Sequence, residues 1–229
     1  MDEKYSIIIP VIDEQDGINT LLKDLESLDN ISDARIIVVD GDPSGETINL
    51  IEDDRIITAV SARGRAKQMN KGAALATGEI LIFLHADTRL PRTALKEISG
   101  ALANGKKAGA FKLAYDSQRP LMRFIAFTAN IRVRFSGIPF GDQAIFVKRE
   151  AFESLGGYAD IPLMEDVELA RRIRDESGGL KIIDIPVKSS ARRYEKNGIF
   201  ATALKNKIIN LLYSLKVPPE KLKRIYYGK

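Results

Sequence analysis

Three apolar runs early in the chain, each stopped by an acidic cluster, constrain its fold more than any other feature. SIIIPVI (6–12) stops at Asp13-Glu14-Gln15-Asp16, and ARIIVVD (34–40) stops at Gly41-Asp42. The third, Ile80 to Leu84 within EILIFLHADTRLP (79–91), is broken by His85, Ala86 and Asp87, and Pro91 opens the next segment. Between the runs the spacing is helical. Ile18, Leu21, Leu22, Leu25 and Leu28 fall on one face, Glu46 to Ile51 reads as a short helix, and Arg65 to Ala76 is a helix closed by Gly78. Ile56 to Val60 reads as a short strand. Continuous apolar strands separated by helices predict a parallel sheet covered on both faces. Right-handed crossovers then bring the strands' carboxyl ends to one edge, and with them Asp13-Glu14, Asp40, Asp42 and Asp87. Acids gathered there point to a site more than to solvated loops. Asp87 is a hard oxygen donor of the kind that holds Mg2+ or Mn2+ against a diphosphate. Taken singly, Asp87 or Thr88 reads equally well as a cap on the segment near Pro91.

The second half is less regular. AGAFKLAY (108–115), QAIFVKRE (143–150) and LKIIDIPV (180–187) read as strands, and Pro120–Phe135 and Glu165–Arg174 as helices. Ile199 to Leu215 places Phe200, Leu204, Ile208, Leu211, Leu212 and Leu215 on one face, followed by the basic segment PPEKLKRIYYGK. That stripe has three readings: cover for the core, a subunit contact, or a membrane contact. With no repeat and no linker, the expectation is one α/β domain over 1–229, with 199–229 its amphipathic helix and basic tail.

Composition excludes several chemistries. The chain has no cysteine and a single histidine, His85, which rules out a disulfide framework, thiolate metal sites, a cysteine nucleophile and a His-rich zinc site. A net charge of +4 suits anionic substrates or an anionic membrane surface without calling for nucleic acid. The start MDEKY is charged, SIIIPVI is too short and β-branched for a secretory core, and no run reaches the ~18–20 apolar residues of a membrane span. The expectation is a cytoplasmic protein, soluble or peripheral at the inner membrane face.

Five ordered strings, SIIIPVIDE, IIVVDGDPSGET, GRAKQMNKGAALATGEILIFLHADT, FGDQAIFVKREAFESLGGY and PLMEDVELARRI, resemble those of a family 2 glycosyltransferase of the GT-A fold, over about residues 5–195. Within that family the chain resembles the radical-SAM/selenodomain-associated transferase subgroup, whose physiological substrate that resemblance leaves undefined. The resemblance implies a mixed, mostly parallel central sheet flanked by helices and a hexosyltransferase-like activity. It places Pro10 and Glu14 beside the nucleoside and gives Asp40 the hydrogen bond to the base, typically uracil N3–H, with Asp42 in the same loop. It makes Asp87 the metal-binding acid of a DxD-type motif and Asp166 the catalytic base, with Glu165 beside it. It implies a UDP-type nucleotide-diphosphate sugar donor, Mn2+ or Mg2+ as cofactor, and an inverting transfer to an unidentified hydroxyl acceptor.

The chain departs from the family pattern at three points. His85 stands where the first acid of the DxD-type motif is usual, so it ligates the metal, touches the ribose with Ala86 beside it, or caps the strand. Met69 precedes Asn70 where many relatives carry Arg, leaving Arg63, Arg65 or Lys67 to supply a cation for base or phosphate. DGDPSG replaces a DDGS-like loop. Further along, Phe140 to Gln143 lies near the acceptor in the family. Arg192 and Arg193 either clamp the diphosphate or an anionic acceptor, or form an exposed basic turn. The stripe at 199–215, the tail, and Phe124, Ile125 and Phe127 are compatible with a lipid-linked acceptor and peripheral membrane contact. Asp166 also fits a first-turn acid on its helix.

Two rival readings remain. A sugar nucleotidyltransferase would need a glycine-rich basic loop after the first strand, where this chain has Asp13-Glu14-Gln15-Asp16. A non-catalytic nucleotide-sugar binding protein would have no use for Asp166 as a base.

Overall fold

The computed structural model describes residues 3–103 and 105–228. Its elements run β1 (Tyr5–Val11), α1 (Ile18–Glu26), β2 (Ala34–Asp40), β3 (Ile57–Val60), α2 (Arg65–Leu75), β4 (Ile80–Phe83), β5 (Thr88–Arg89), α3 (Ala94–Ala103), β6 (Ala108–Tyr115), α4 (Pro120–Ser136), β7 (Ile145–Lys148), α5 (Arg149–Ser154), α6 (Glu165–Ser177), β8 (Lys181–Ser189), α7 (Arg192–Asn197), α8 (Ile199–Ser214) and α9 (Pro219–Tyr227).

The β-branched runs form strands because both of their faces are buried. Along β1, Ile7, Ile9 and Val11 enter the layer shared with α1 and α3. Ile8 points the other way, to Ile37, Val39, Ala66 and Met69. The expected two-sided cover is therefore present.

All eight strands form one sheet, in the order β3-β2-β1-β4-β7-β6-β8-β5. The first four neighbours are parallel, as are β6 and β8, whereas β7 runs against both β4 and β6, and β5 against β8. The sheet is thus mixed and mostly parallel. The reversal of β7 positions the site. Ile145, its first residue, lies opposite Phe83, the last of β4. The amino end of β7, carrying Gly141 and Asp142, therefore reaches the edge where β1, β2 and β4 put their carboxyl ends.

Several local expectations are corrected. Only Ile145–Lys148 of QAIFVKRE is a strand. Gly141–Gln143 is a 3-10 turn, and Ala144 follows with φ of 48°. At the other end the Arg149 N–H donates to the Glu79 carbonyl (2.8 Å) as α5 begins. The basic tail is helical: α9 buries Leu222 and Tyr226. Most of the α8 stripe does not cover the core; of its members Leu212 packs, half-buried, against the cluster of Ile209, Leu222 and Tyr226. Thr202 and Ile209 face inward, and Phe200, Leu204, Ile208, Leu211 and Leu215 are exposed. Both helix faces carry apolar residues, so spacing alone did not say which would be buried. No described helix is long and apolar enough to cross a membrane.

Candidate active site

A cavity of about 750 Å3 opens between α4 and α8, and its polar end holds Arg65, His85, Asp87, Asp142, Asp166 and Arg193. Each polar group arrives by a local device. After β4 the chain turns through His85-Ala86-Asp87-Thr88, closed by the Thr88 N–H on the His85 carbonyl (3.0 Å). The Ser190 N–H then holds the Asp87 carbonyl (2.9 Å), fixing the turn against the end of β8.

Asp166 sits in the first turn of α6. Its Oδ2 accepts the Gly141 N–H (2.6 Å) and its Oδ1 accepts the Val167 N–H (2.8 Å). Both oxygens are thus oriented by backbone donors. Met164, just before α6, adopts the left-handed region at φ 68°, a conformation that a side chain tolerates only where surrounding structure imposes it. Gly141 has no room for a side chain: a Cβ there would lie 2.5 Å from His85 Nε2 and 3.3 Å from Asp166 Oδ2. The backbone of 141 is therefore wedged between the imidazole and the carboxylate. Its loop is anchored from behind. Buried Gln143 donates to the Phe111 carbonyl (2.9 Å) and accepts the Phe140 N–H (3.1 Å), while the Arg132 guanidinium stacks 3.6 Å from the Phe140 ring centre.

The electrostatics separate these acids. Glu165, 2% exposed, lies 2.8 Å from the Arg65 guanidinium. Burial raises its carboxyl, Arg65 opposes, and the Asp166 charge adds to the rise. Burial, helped by Arg65, pushes His85 down to about 3, so the imidazole is neutral at physiological pH. The cavity wall partly desolvates Asp87 and so raises it, although the residue is exposed overall, and it makes no ion pair among the described residues.

Asp142 is pushed up to about 7, by burial first and then by Asp166. Its Oδ1 is buried and lacks a partner among the described residues. The sequence reading gave this residue no carboxylate role, because its burial depends on the reversal of β7. Asp142→Asn is expected to stabilise the metal-free protein. The unfolded chain releases this proton near pH 4 and the folded chain near 7, so stability falls as pH rises across that window and is flat above it. The amide removes that loss. Thermal melts in chelator should show the variant ahead of the parent by several degrees at pH 8 and nearly level at pH 4. Equal melting at pH 8 would contradict the burial argument.

Six other sequence-derived candidates, Pro10, Glu14, Asp40, Asp42, Asn70 and Ala86, lie outside the cavity lining. Asp40, fully buried, accepts the N–H groups of Asp42 (2.9 Å) and Thr47 (3.0 Å) and so shapes the loop between them. Asp42 accepts the Ser44 N–H (2.8 Å), and that residue's hydroxyl bond first, then its backbone bond, lower its carboxyl. Pro10 is buried in β1 opposite Val39. Glu14 pairs with Arg192 (3.2 Å), tying the first loop to α7. Asn70 donates to the Tyr158 carbonyl (2.8 Å) and accepts its N–H (2.9 Å), so its amide secures a turn. Gln68, given no role from sequence, donates to the carbonyls of Val11 (2.7 Å) and Val39 (3.0 Å), joining the ends of β1 and β2. Ala86 lies half-buried within the His85–Thr88 turn. Arg65 and Arg193 do line the cavity, yet Arg65 is paired with Glu165 and Arg193 donates to the Tyr226 hydroxyl.

Among the described residues, no three His, Cys, Asp or Glu side chains form a metal cage. A lone open carboxylate, Asp87, nevertheless suits a hard divalent cation that takes its other oxygens from substrate phosphates and water.

Comparison with known proteins agrees with this architecture. Mannosyltransferase PcManGT from Pyrobaculum calidifontis, solved with GDP-Man and Mn2+, superposes with a TM-score of 0.66 at 21% identity, covering 98% of this chain and 68% of that one. S. aureus TarS 1–349, solved with UDP, superposes with a TM-score of 0.65 at 16% identity, covering 82% of this chain and 60% of that one. These likenesses establish the GT-A fold. In sequence, the chain is 28% identical to the probable glycosyltransferase YdaM of Bacillus subtilis (strain 168), over 74% of this chain and 46% of the relative. It thus spans about half the length of that protein. Residues 6–156 match the profile of glycosyl transferase family 2, a stretch that runs from β1 through the Asp87 turn and the Gly141–Asp142 loop. The chain belongs to glycosyl transferase family 2.

Proposed function

We propose that this chain transfers a sugar from a nucleotide-diphosphate donor to an acceptor hydroxyl with inversion, with Asp166 as general base. The observation that carries this reading is that Asp166, held by the Gly141 N–H, faces the same cavity as Asp87. In the proposed reaction the acceptor hydroxyl lies against Asp166. The carboxylate takes its proton as the hydroxyl oxygen bonds to the sugar C1 and the C1–phosphate bond breaks, the electron pair leaving with the diphosphate. Asp166 ends protonated and the nucleoside diphosphate departs. Asp87 would hold Mn2+ or Mg2+, which supplies charge neutralisation for the leaving diphosphate. Arg193, at the same end of the cavity, offers a second cation for phosphate oxygens. Neutral His85 shapes the wall behind Gly141 and retains a lone pair for a metal or a hydroxyl.

The donor is of UDP or GDP type, in line with the UDP complex of TarS and the GDP-Man complex of PcManGT. The acidic first loop disfavours a nucleotidyltransferase, since it would repel a triphosphate.

Chelation tests the metal assignment. EDTA is expected to abolish nucleotide release from the donor, and added Mn2+ or Mg2+ to restore it in the parent but not in Asp87→Asn. Full turnover in EDTA would remove Asp87 from this role.

A further inference from the structure

We infer that the outer faces of α4 and α8 form a docking surface for an anionic lipid bilayer. On α4, Phe124, Phe127, Ile131 and Phe135 recur at helical spacing and are exposed, Phe135 by 85%. On α8, Phe200, Leu204, Ile208, Leu211 and Leu215 do the same, Phe200 by 77%. The two helices pack together, so their stripes lie on neighbouring elements, and scattered exposed apolar residues do not account for such a pattern.

Charge selects the occupant. Neither helix contains an aspartate or a glutamate. At 100° per residue, Arg123 and Arg134 both lie along one edge of the α4 stripe, next to Phe127, and Lys207 lies beside the α8 stripe. An apolar stripe bordered by Lys and Arg is the pattern of helices that lie in a membrane interface, and the basic groups match anionic headgroups. A second copy fits poorly, because a two-fold contact brings together two faces whose helices carry cations and no carboxylate to pair with them. Phe124, Phe200 and Leu204 belong both to the stripes and to the cavity wall, so docking places the mouth of the cavity on the lipid and lets an acceptor reach Asp166 from the bilayer.

The test uses the full chain and vesicles of phosphatidylcholine with or without one-quarter phosphatidylglycerol. The parent should co-sediment with the anionic vesicles and bind pure phosphatidylcholine more weakly. Phe127→Ser, Phe135→Ser and Leu211→Ser combined should lower anionic-vesicle binding roughly tenfold or more. These three residues are exposed and lie outside the cavity wall, so melting temperature and its rise with nucleotide sugar should not change. Absence of vesicle binding by the parent, or equal binding by the triple variant, would overturn the inference. So would a parent dimer in sedimentation velocity that the triple substitution dissociates, which would assign the face to a second copy. The nucleotide-sugar melting shift reports the donor site separately, so failure of docking and failure of the transfer reading are told apart.

Discussion

Asp166→Asn is expected to lower kcat by roughly 10^2–10^4-fold, the range for removal of a positioned general base, while leaving donor affinity within a few-fold. The amide is nearly isosteric, and its oxygen can still accept one of the two backbone N–H groups that Asp166 engages. Its NH2 then faces the other donor, so a modest fall in melting temperature accompanies the loss. The informative readout is the split between steady-state turnover and donor binding measured by titration. Turnover near that of the parent would remove Asp166 from catalysis. Loss of donor binding together with turnover would make it a binding residue.

Gly141→Ala is expected to cost about 10^2-fold in kcat, the scale of an ångström-sized misplacement of a reacting group. The added Cβ would sit 2.5 Å from His85 Nε2 and 3.3 Å from Asp166 Oδ2. The imidazole is in the tightest contact and must rotate or push the loop away. Either response disturbs the Gly141 N–H that orients Asp166. Gly141 is not in the left-handed region, so the loss is steric and not a matter of backbone strain. Turnover of Gly141→Ala should fall far more than its thermal stability. A variant with parental kcat would show that Asp166 does not depend on this wedge.

The centre of the sheet was legible in the sequence because β1 and β4 are buried on both faces, unlike β3 and β8, which alternate. β2 and β6 occupy the segments expected, 34–40 and 108–115. β1 begins one residue earlier than its apolar run and ends one earlier. What escaped the sequence depends on contacts between distant segments. Asn70 and Gln68 have the residue type of ligand contacts, but their amides bind Tyr158, Val11 and Val39. Asp40 was correctly placed at a strand tip, and its burial reflects two N–H groups of the following loop. Asp142 became prominent only once β7 turned back against β4. Of the residues singled out, Arg65, His85, Asp87, Asp166 and Arg193 meet around one cavity, and Pro10, Glu14, Asp40, Asp42, Asn70 and Ala86 support the loops and strands around it. On α8, periodicity identified the apolar stripe, while the choice of inward face followed from packing of Ile209 beside Leu222 and Tyr226.

The central claim is that one cavity binds an activated sugar through Asp87 and a cation beside the base Asp166. Thermal melting against a panel of UDP- and GDP-sugars, with Mn2+ or with EDTA, tests it most directly. A donor at about a hundred times its Kd should raise the melting temperature by roughly 5–10 °C with Mn2+, and by much less in EDTA or in Asp87→Asn. A panel in which no nucleotide sugar moves the melting temperature in Mn2+ at millimolar concentration would contradict it.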